Sequence, residues 1–220
     1  MLTVTRPGLQ STLQGAPRVG YRHLGVPYAG PADWLSMSLA NRLVGNSSYT
    51  TCIEVTYGGF EAELLEDCAL AVTGACEALG VSGRSAPVHE TLRLRAGETI
   101  RIAPPVNGMR AYLAIHSGFT AQSMFGSTST YLPAGFGGLE GRVLRKGDVL
   151  TATRTTMPSH DLKTPDNLRP VYSGAFALRV CESAEFECLQ PLDQRALFSE
   201  SFKVGRQATR MGITLTENRL

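Results

Sequence analysis

Tryptophan occurs once, and aromatic residues make up only 7% of the chain. Five cysteines (Cys52, Cys68, Cys76, Cys181, Cys188) are scattered without a CxxC pair. Neither a disulfide framework nor a thiolate zinc site is implied, and they read as small apolar side chains. The four histidines (His23, His89, His116, His160) lack HExxH or other ligand spacing, so no metal site is expected. No apolar run approaches the ~20 residues of a membrane-spanning helix. The opening MLTVTRPGLQ has no basic stretch followed by an apolar core, so no signal peptide is expected, and the cytoplasm is the expected compartment. Charge is sparse too, at 18% of residues with a net +2. The basic residues form no block that would track a phosphate backbone, which argues against nucleic acid and anionic membrane as partners.

What remains is an ordinary globular composition, 43% hydrophobic over 220 residues. That suffices for one large domain, or one domain and part of another. Glycine (23) and proline (12) punctuate short runs. Residues 91–95 and 98–102 alternate, and the apolar runs 69–72, 111–115 and 177–180 read as further strands. Turns such as Ala96-Gly97 and Lys146-Gly147-Asp148 separate several of them. The pattern predicts a mainly β barrel or sandwich.

One helix stands out, over 33–44. Leu35, Leu39 and Leu43, with Met37, Ala40 and Val44 beside them, share an apolar face. Asp33 suits the N-cap and Gly45 the left-handed closing turn. A weaker helix is expected after Pro191, with Leu192, Ala196 and Leu197 on one face. Residues 155–173 are polar, carry Pro158, Pro165 and Pro170, and read as a linker. The expected organisation is therefore a domain at 1–154, a linker at 155–173, and a partial subdomain at 174–220 too short for a good core of its own.

Three clusters can carry chemistry. Residues 8–21 gather Ser11, Thr12, Gln14, Arg18 and Tyr21 around turn formers. This is either a polar turn beside a strand or a loop offering donors to a carboxylate or carbonyl. Residues 25–33 lead into the helix and end on Asp33, which is a general base, a ligand contact or only the cap. Residues 126–142 place Ser127, Thr128, Ser129, Thr130 and Tyr131 before a glycine-rich run. Such a run either exposes backbone amides to an anion or forms a plain hairpin. It matches neither GxxxxGK[ST] nor GxGxxG, and no GxSxG elbow supports a serine nucleophile.

Taken together, residues 11–21, LGVPYAGPADWLSMSLANRLVGN (24–46), RAYLAIHSG (110–118), GSTSTYLPAGFGGLEGRVLRKGDVL (126–150) and Arg210-Met211-Gly212 resemble one family. It is the biotin-dependent carboxyltransferase-like, or allophanate hydrolase subunit 2, family. Its members include the C-type subunit of 5-oxoprolinase, the KipA-type antagonist of a kinase inhibitor, and the matching half of the urea carboxylase carboxyltransferase domain. The resemblance implies a mainly β, cyclophilin-like barrel with one prominent helix and an incomplete C-terminal subdomain. It implies a C-type component of ATP-dependent 5-oxoprolinase, converting 5-oxoproline to glutamate with a B-type (KipI-like) and an A-type subunit. ATP would be used by the complex, at a site not assignable in this chain. Two other readings follow from the same family. One is a urea-handling carboxyltransferase component that meets biotin; the other is a non-catalytic regulatory binding protein.

Carried over residue by residue, the resemblance marks Asp33 and Ser127 as catalytic candidates, and Gln14, Arg18, Ser129, Thr130 and Arg210 as substrate-binding candidates. The chain also departs from the pattern. Where the family has Ser-Thr-x-Gln-Asp-x-Gly-Arg, Gly15 replaces the acid and Pro17 the glycine. Where it has Gly-Ser-Arg-Ser-Thr-Asp, Thr128 replaces arginine and Tyr131 aspartate. The usual Gly-Gly after the central strand is Ser117-Gly118. Three charges are thus lost, and with them electrostatic orientation of a ligand. A later family segment with a Gly-Thr-Ile-Gln-Val-Pro-like motif has no counterpart, so a fragment, a truncated product or a degenerate paralogue is expected.

Overall fold

The computed structural model describes residues 1–154, 156–175, 177, 179–208 and 212–216. In chain order its elements are β1 (Leu2–Pro7), β2 (Gln10–Gln14), α1 (Trp34–Leu43), β3 (Cys52–Thr56), β4 (Phe60–Leu64), β5 (Cys68–Gly74), β6 (Leu79–Val81) and β7 (Arg84–Ala86). There follow β8 (Leu92–Leu94), β9 (Thr99–Ile102), β10 (Arg110–Ile115), β11 (Val149–Leu150), α2 (Pro191–Ser199), β12 (Lys203–Ala208) and β13 (Ile213–Thr216). The chain divides into two compact units, Met1–Gly174 and Ala175–Leu220.

In the first unit, among the described residues, strands pair antiparallel as a six-stranded sheet, β11-β1-β4-β9-β6-β7, and a five-stranded sheet, β2-β3-β10-β5-β8. Period-two alternation builds the six-stranded sheet. Phe60, Ala62, Leu64, Ile100 and Ile102 point inward and are buried, while Thr99 and Arg101 point outward and are exposed. The five-stranded sheet shows no such alternation, because both its faces are covered. Ile53, Val55, Leu70, Val72, Leu113 and Ile115 join the core shared with the other sheet. Their neighbours Cys52, Ala71, Tyr112 and Ala114 pack with Met37, Ala40, Leu43 and Val44 of the α1 region. The mainly β expectation thus takes the form of two sheets enclosing one core, with α1 on the outer face of the second.

Asp33 caps α1 by accepting the Ser36 N–H at 2.9 Å, and Gly45 closes it at φ +76°. The buried face differs from the expected one. It is Ser36, Met37, Ala40, Asn41 and Leu43, whereas Leu35 is 42% exposed. Two polar residues turn inward because partners await them. Asn41 Nδ2 donates to the carbonyls of Thr50 (2.8 Å) and Ser48 (3.2 Å), and Ser36 Oγ donates to Asp33 Oδ2 (2.6 Å) and lies 2.8 Å from Tyr172 Oη.

Residues 155–173, expected to form a linker, lie within the first unit. Thr164 is buried and its N–H donates to the His89 carbonyl at 2.9 Å. Glu90 and Lys163 form an isolated bridge and an ion pair at 3.0 Å. The polar composition of this strap thus reflects hydrogen bonding to its neighbours rather than solvation alone.

The second unit holds α2, with Pro191 in its first turn, and the antiparallel pair β12–β13 in the register Val204↔Leu215. No residue of α2 is buried. Of the apolar run 177–180, the described residues Ala177, Arg179 and Val180 lie outside any strand, and Val180 is 65% exposed; Leu178 lies outside the described residues. Among the described residues no helix is long and apolar enough to cross a membrane.

Candidate functional site

Residues 8–21 are less of a loop than their composition suggests. Gln10–Gln14 is strand β2, paired with β3 through Thr12↔Glu54 and Gln14↔Cys52. The other edge of β2 is closed by two backbone bonds, from Thr130 N–H to the Leu13 carbonyl (2.9 Å) and from Leu144 N–H to the Ser11 carbonyl (2.8 Å). This brings Gln14, Arg18, Ser127, Ser129 and Thr130 into one buried cluster.

The hydroxyls of that cluster are occupied. Ser127 Oγ donates to the Ala16 carbonyl and accepts the Ser129 N–H (3.0 Å). Ser129 Oγ accepts the Gly15 N–H (2.9 Å) and lies 3.0 Å from the Gly15 carbonyl. Thr130 Oγ1 donates to the Leu13 carbonyl at 2.9 Å. They clasp the 124–138 loop to the end of β2. Ser127 has no adjacent base to activate it as a nucleophile.

Gly137 and Gly138 sit at φ +73° and +62°, and a side chain on either would overlap Ser129 or Thr130. The glycines serve this close approach. The Gly135, Gly138 and Gly141 amides are not free for an anion, since they bond to the carbonyls of Tyr131 and Leu132, of Gln122 and Thr128, and of Gly137.

Gln14 and Arg18 differ from the hydroxyls. Gln14 Nε2 donates to Thr12 Oγ1 (2.9 Å), but its Oε1 is buried and meets no hydrogen-bond partner among the described residues. Arg18 Nε donates to the Met124 carbonyl (3.1 Å), Nη2 donates to the Ser129 carbonyl, and the guanidinium lies 4.7 Å over the Phe136 ring. Its Nη1 is likewise buried without a partner. Burial lowers the Arg18 pKa, yet a guanidinium keeps its charge in a protein. One free acceptor and one free cationic donor thus stand in the same cluster, a pairing complementary to an amide or a carboxylate.

Asp33 belongs to a second cluster. Its carboxylate accepts from Ser36 N–H, Ser36 Oγ (2.6 Å) and Tyr172 Oη (3.0 Å). Its own N–H donates to Tyr112 Oη at 2.7 Å. Tyr112 donates to Glu54 Oε2 (2.8 Å), which also accepts the Ala32 N–H (2.9 Å), and Arg110 Nε lies 3.5 Å from Glu54 Oε1. Burial, then the Glu54 carboxylate, push the Tyr112 phenol far above its usual range. Burial pushes Tyr172 up to about 12. Both phenols therefore stay protonated as donors. Sequence reasoning does not single out Glu54, Tyr112 or Tyr172. The usable signal is Glu54, a lone charge inside the apolar stretch CIEVT. Arg210 lies outside the described residues.

Among the described residues no three His, Cys, Asp or Glu side chains group as a metal site. The described residues do not fit ATP. The α1 amino terminus already holds the Asp33 and Glu54 carboxylates, and the Gly135, Gly138 and Gly141 amides are bonded to carbonyls.

The carboxyltransferase domain family, subdomains A and B, matches residues 24–220. Urea amidolyase of Saccharomyces cerevisiae is 34% identical over 97% of this chain, which spans 12% of that protein. The C-type subunit of 5-oxoprolinase from Escherichia coli is 32% identical over 98% of this chain, which spans 68% of that protein. The crystal structure of the K. lactis urea amidolyase superposes with a TM-score of 0.87 and 27% identity, covering 99% of this chain and 14% of that one.

Proposed function

The chain belongs to the carboxyltransferase domain family, subdomains A and B, and from that premise we propose that it is the amide-binding component of a 5-oxoprolinase-type complex. In that complex, 5-oxoproline is opened to glutamate, with A-type and B-type subunits alongside and ATP handled outside the described residues of this chain. The observation that carries the reading is the buried pair Gln14 Oε1 and Arg18 Nη1. A lactam presents an N–H to the first and a carbonyl or carboxylate to the second. The 124–138 loop covers both atoms, so a ligand enters by parting that loop from β2. Asp33 and Ser127 position α1 and the loop in this scheme.

The similarity to urea amidolyase favours a second reading in which Gln14 and Arg18 hold urea or a biotin ureido ring. Bound as carboxybiotin, the group would supply a transferable carboxyl.

The test is assembly of the full chain with A- and B-type subunits, followed by 5-oxoproline-dependent glutamate release. Arg18→Lys keeps the charge but loses the planar fork, and is expected to lower kcat/KM by about 10²-fold in an intact complex. Turnover unchanged by Arg18→Lys and by Gln14→Glu overturns the reading. Inactivity toward 5-oxoproline with urea-dependent carboxyl transfer selects the second. A complex that assembles but turns over neither substrate selects the regulatory binding protein.

A further inference from the structure

A second recess lies in the first unit, lined by residues that the Gln14–Arg18 cluster does not use. It is a cleft of about 250 Å³ walled by Ala75, Val88, Pro170 and Tyr172, with His89 and Arg169 as polar lining. We propose that this cleft binds a small organic carboxylate.

His89 is built into the cleft at a conformational cost. Its φ is +62°, a region a non-glycine side chain seldom occupies. Its N–H donates to the Val72 carbonyl (2.9 Å) and its carbonyl accepts the Thr164 N–H (2.9 Å), so the backbone is held from both sides. The residue is 4% exposed, and its Nδ1 meets no hydrogen-bond partner among the described residues. Arg169 Nε donates to the Thr164 carbonyl at 3.2 Å. Its Nη2 is buried without a hydrogen bond and lies 3.9 Å from Glu90 Oε1, while Nε lies 3.4 Å from Asp166 Oδ1. A buried cationic donor and a buried imidazole nitrogen, both unsatisfied, are costly unless a ligand completes them.

The surroundings select the ligand. Glu77 also lines the cleft, its Oε1 accepting the Asn107 N–H (3.1 Å), and Glu90 flanks Arg169. Glu77, Glu90 and Asp166 set three carboxylates around Arg169 and Lys163, so a dianion is repelled, and a monoanion of one carboxylate is the most charge that the Arg169 Nη2 donor can take. The walls are largely apolar, which suits a short hydrocarbon body. The volume is below the usual range for drug-sized ligands, so the body has few atoms. Burial, then Arg169, hold His89 toward its neutral form, leaving Arg169 as the charge that the carboxylate meets.

Propionate is the probe. The full chain is titrated with it at constant ionic strength by calorimetry, with the His89 imidazole resonances followed by NMR. Saturable binding is expected, with those resonances moving in step, and no saturation by inorganic phosphate. Arg169→Gln is expected to weaken binding about tenfold or more. His89→Asn, a residue tolerant of positive φ, is expected to weaken it less. Arg169 is partly exposed (28%), so its variant keeps the fold and carries the test should His89→Asn fail to fold. Absence of saturation, equal affinity in Arg169→Gln, or phosphate binding more tightly than propionate each overturns the proposal. No arm uses turnover, so the result stands apart from the 5-oxoprolinase reading.

Discussion

Gly15 and Thr128, the positions at which the resemblance implies aspartate and arginine in the family, are neighbours in space. A methyl group on Gly15 would overlap Thr128 Oγ1, which is held 2.7 Å from Thr51 Oγ1. The two charge losses are thus one structural change, in which the threonine hydroxyl fills the room a side chain would need. Relieving the overlap means rotating a β-branched side chain away from its partner. Gly15→Ala is therefore expected to cost about 1–3 kcal/mol in the parent chain and under about 1 kcal/mol beside Thr128→Ala. Chemical denaturation of the four proteins in the cycle measures the difference. The sequence showed both substitutions but not their adjacency, because pairing of residues 113 positions apart is a tertiary fact. It did mark Gln14 and Arg18. It missed His89 and Tyr172, whose importance comes from what the chain folds over them.

At the scale of elements, turns are held by charge as well as by glycine. Arg142 grips Asp148 with two bonds, Nη1 at 2.8 Å and Nη2 at 3.0 Å, and the Arg145 N–H reaches the same carboxylate at 2.7 Å. The Arg142 bonds foremost hold the Asp148 pKa below its ordinary value. A depressed carboxylate contributes stability above its unfolded pKa and loses it as pH falls through the folded one. Asp148→Asn should therefore lower the melting temperature at pH 7, for a loss of about 1–3 kcal/mol. The gap from the parent should close below about pH 4, as thermal scans at both pH values would show. A gap that does not narrow at all between pH 7 and pH 3 would assign the loss to packing instead. Elements with a strong local signature, α1 with its cap and the alternating β9, were legible in the sequence. The buried face of α1 was not, since Ser36 and Asn41 turn inward toward partners from distant segments. Strand β3 went unread because burial on both faces erases alternation.

For the molecule as a whole, the extensive core ends with the first unit. Among the described residues the largest fully buried side chains lie before residue 120, Leu144 and Leu150 join the same core, and the last buried residue is Thr164. A fragment ending at Gly174 is expected to unfold in one cooperative transition by calorimetry, with dispersed NMR amide signals. A molten fragment would show that the remaining residues complete its core. The mainly β class was legible from the turn-punctuated runs. The attachment of residues 155–173 to the first unit was not, because proline and polar residues look alike in a free tether and in a strap pinned by hydrogen bonds. Finally, the loop holding Ser127, Ser129 and Thr130 also seals the outer edge of β2. Lifting it to admit a ligand would bare the Leu13 carbonyl and the Gly15 N–H and carbonyl, the start of an adhesive rim for any second extended chain. Substrate access and self-association are then opposed through a single seam. A sequence that loosened the seam for faster entry would become more prone to stick to its own copies, and an occupant holding the loop down would act as a solubiliser.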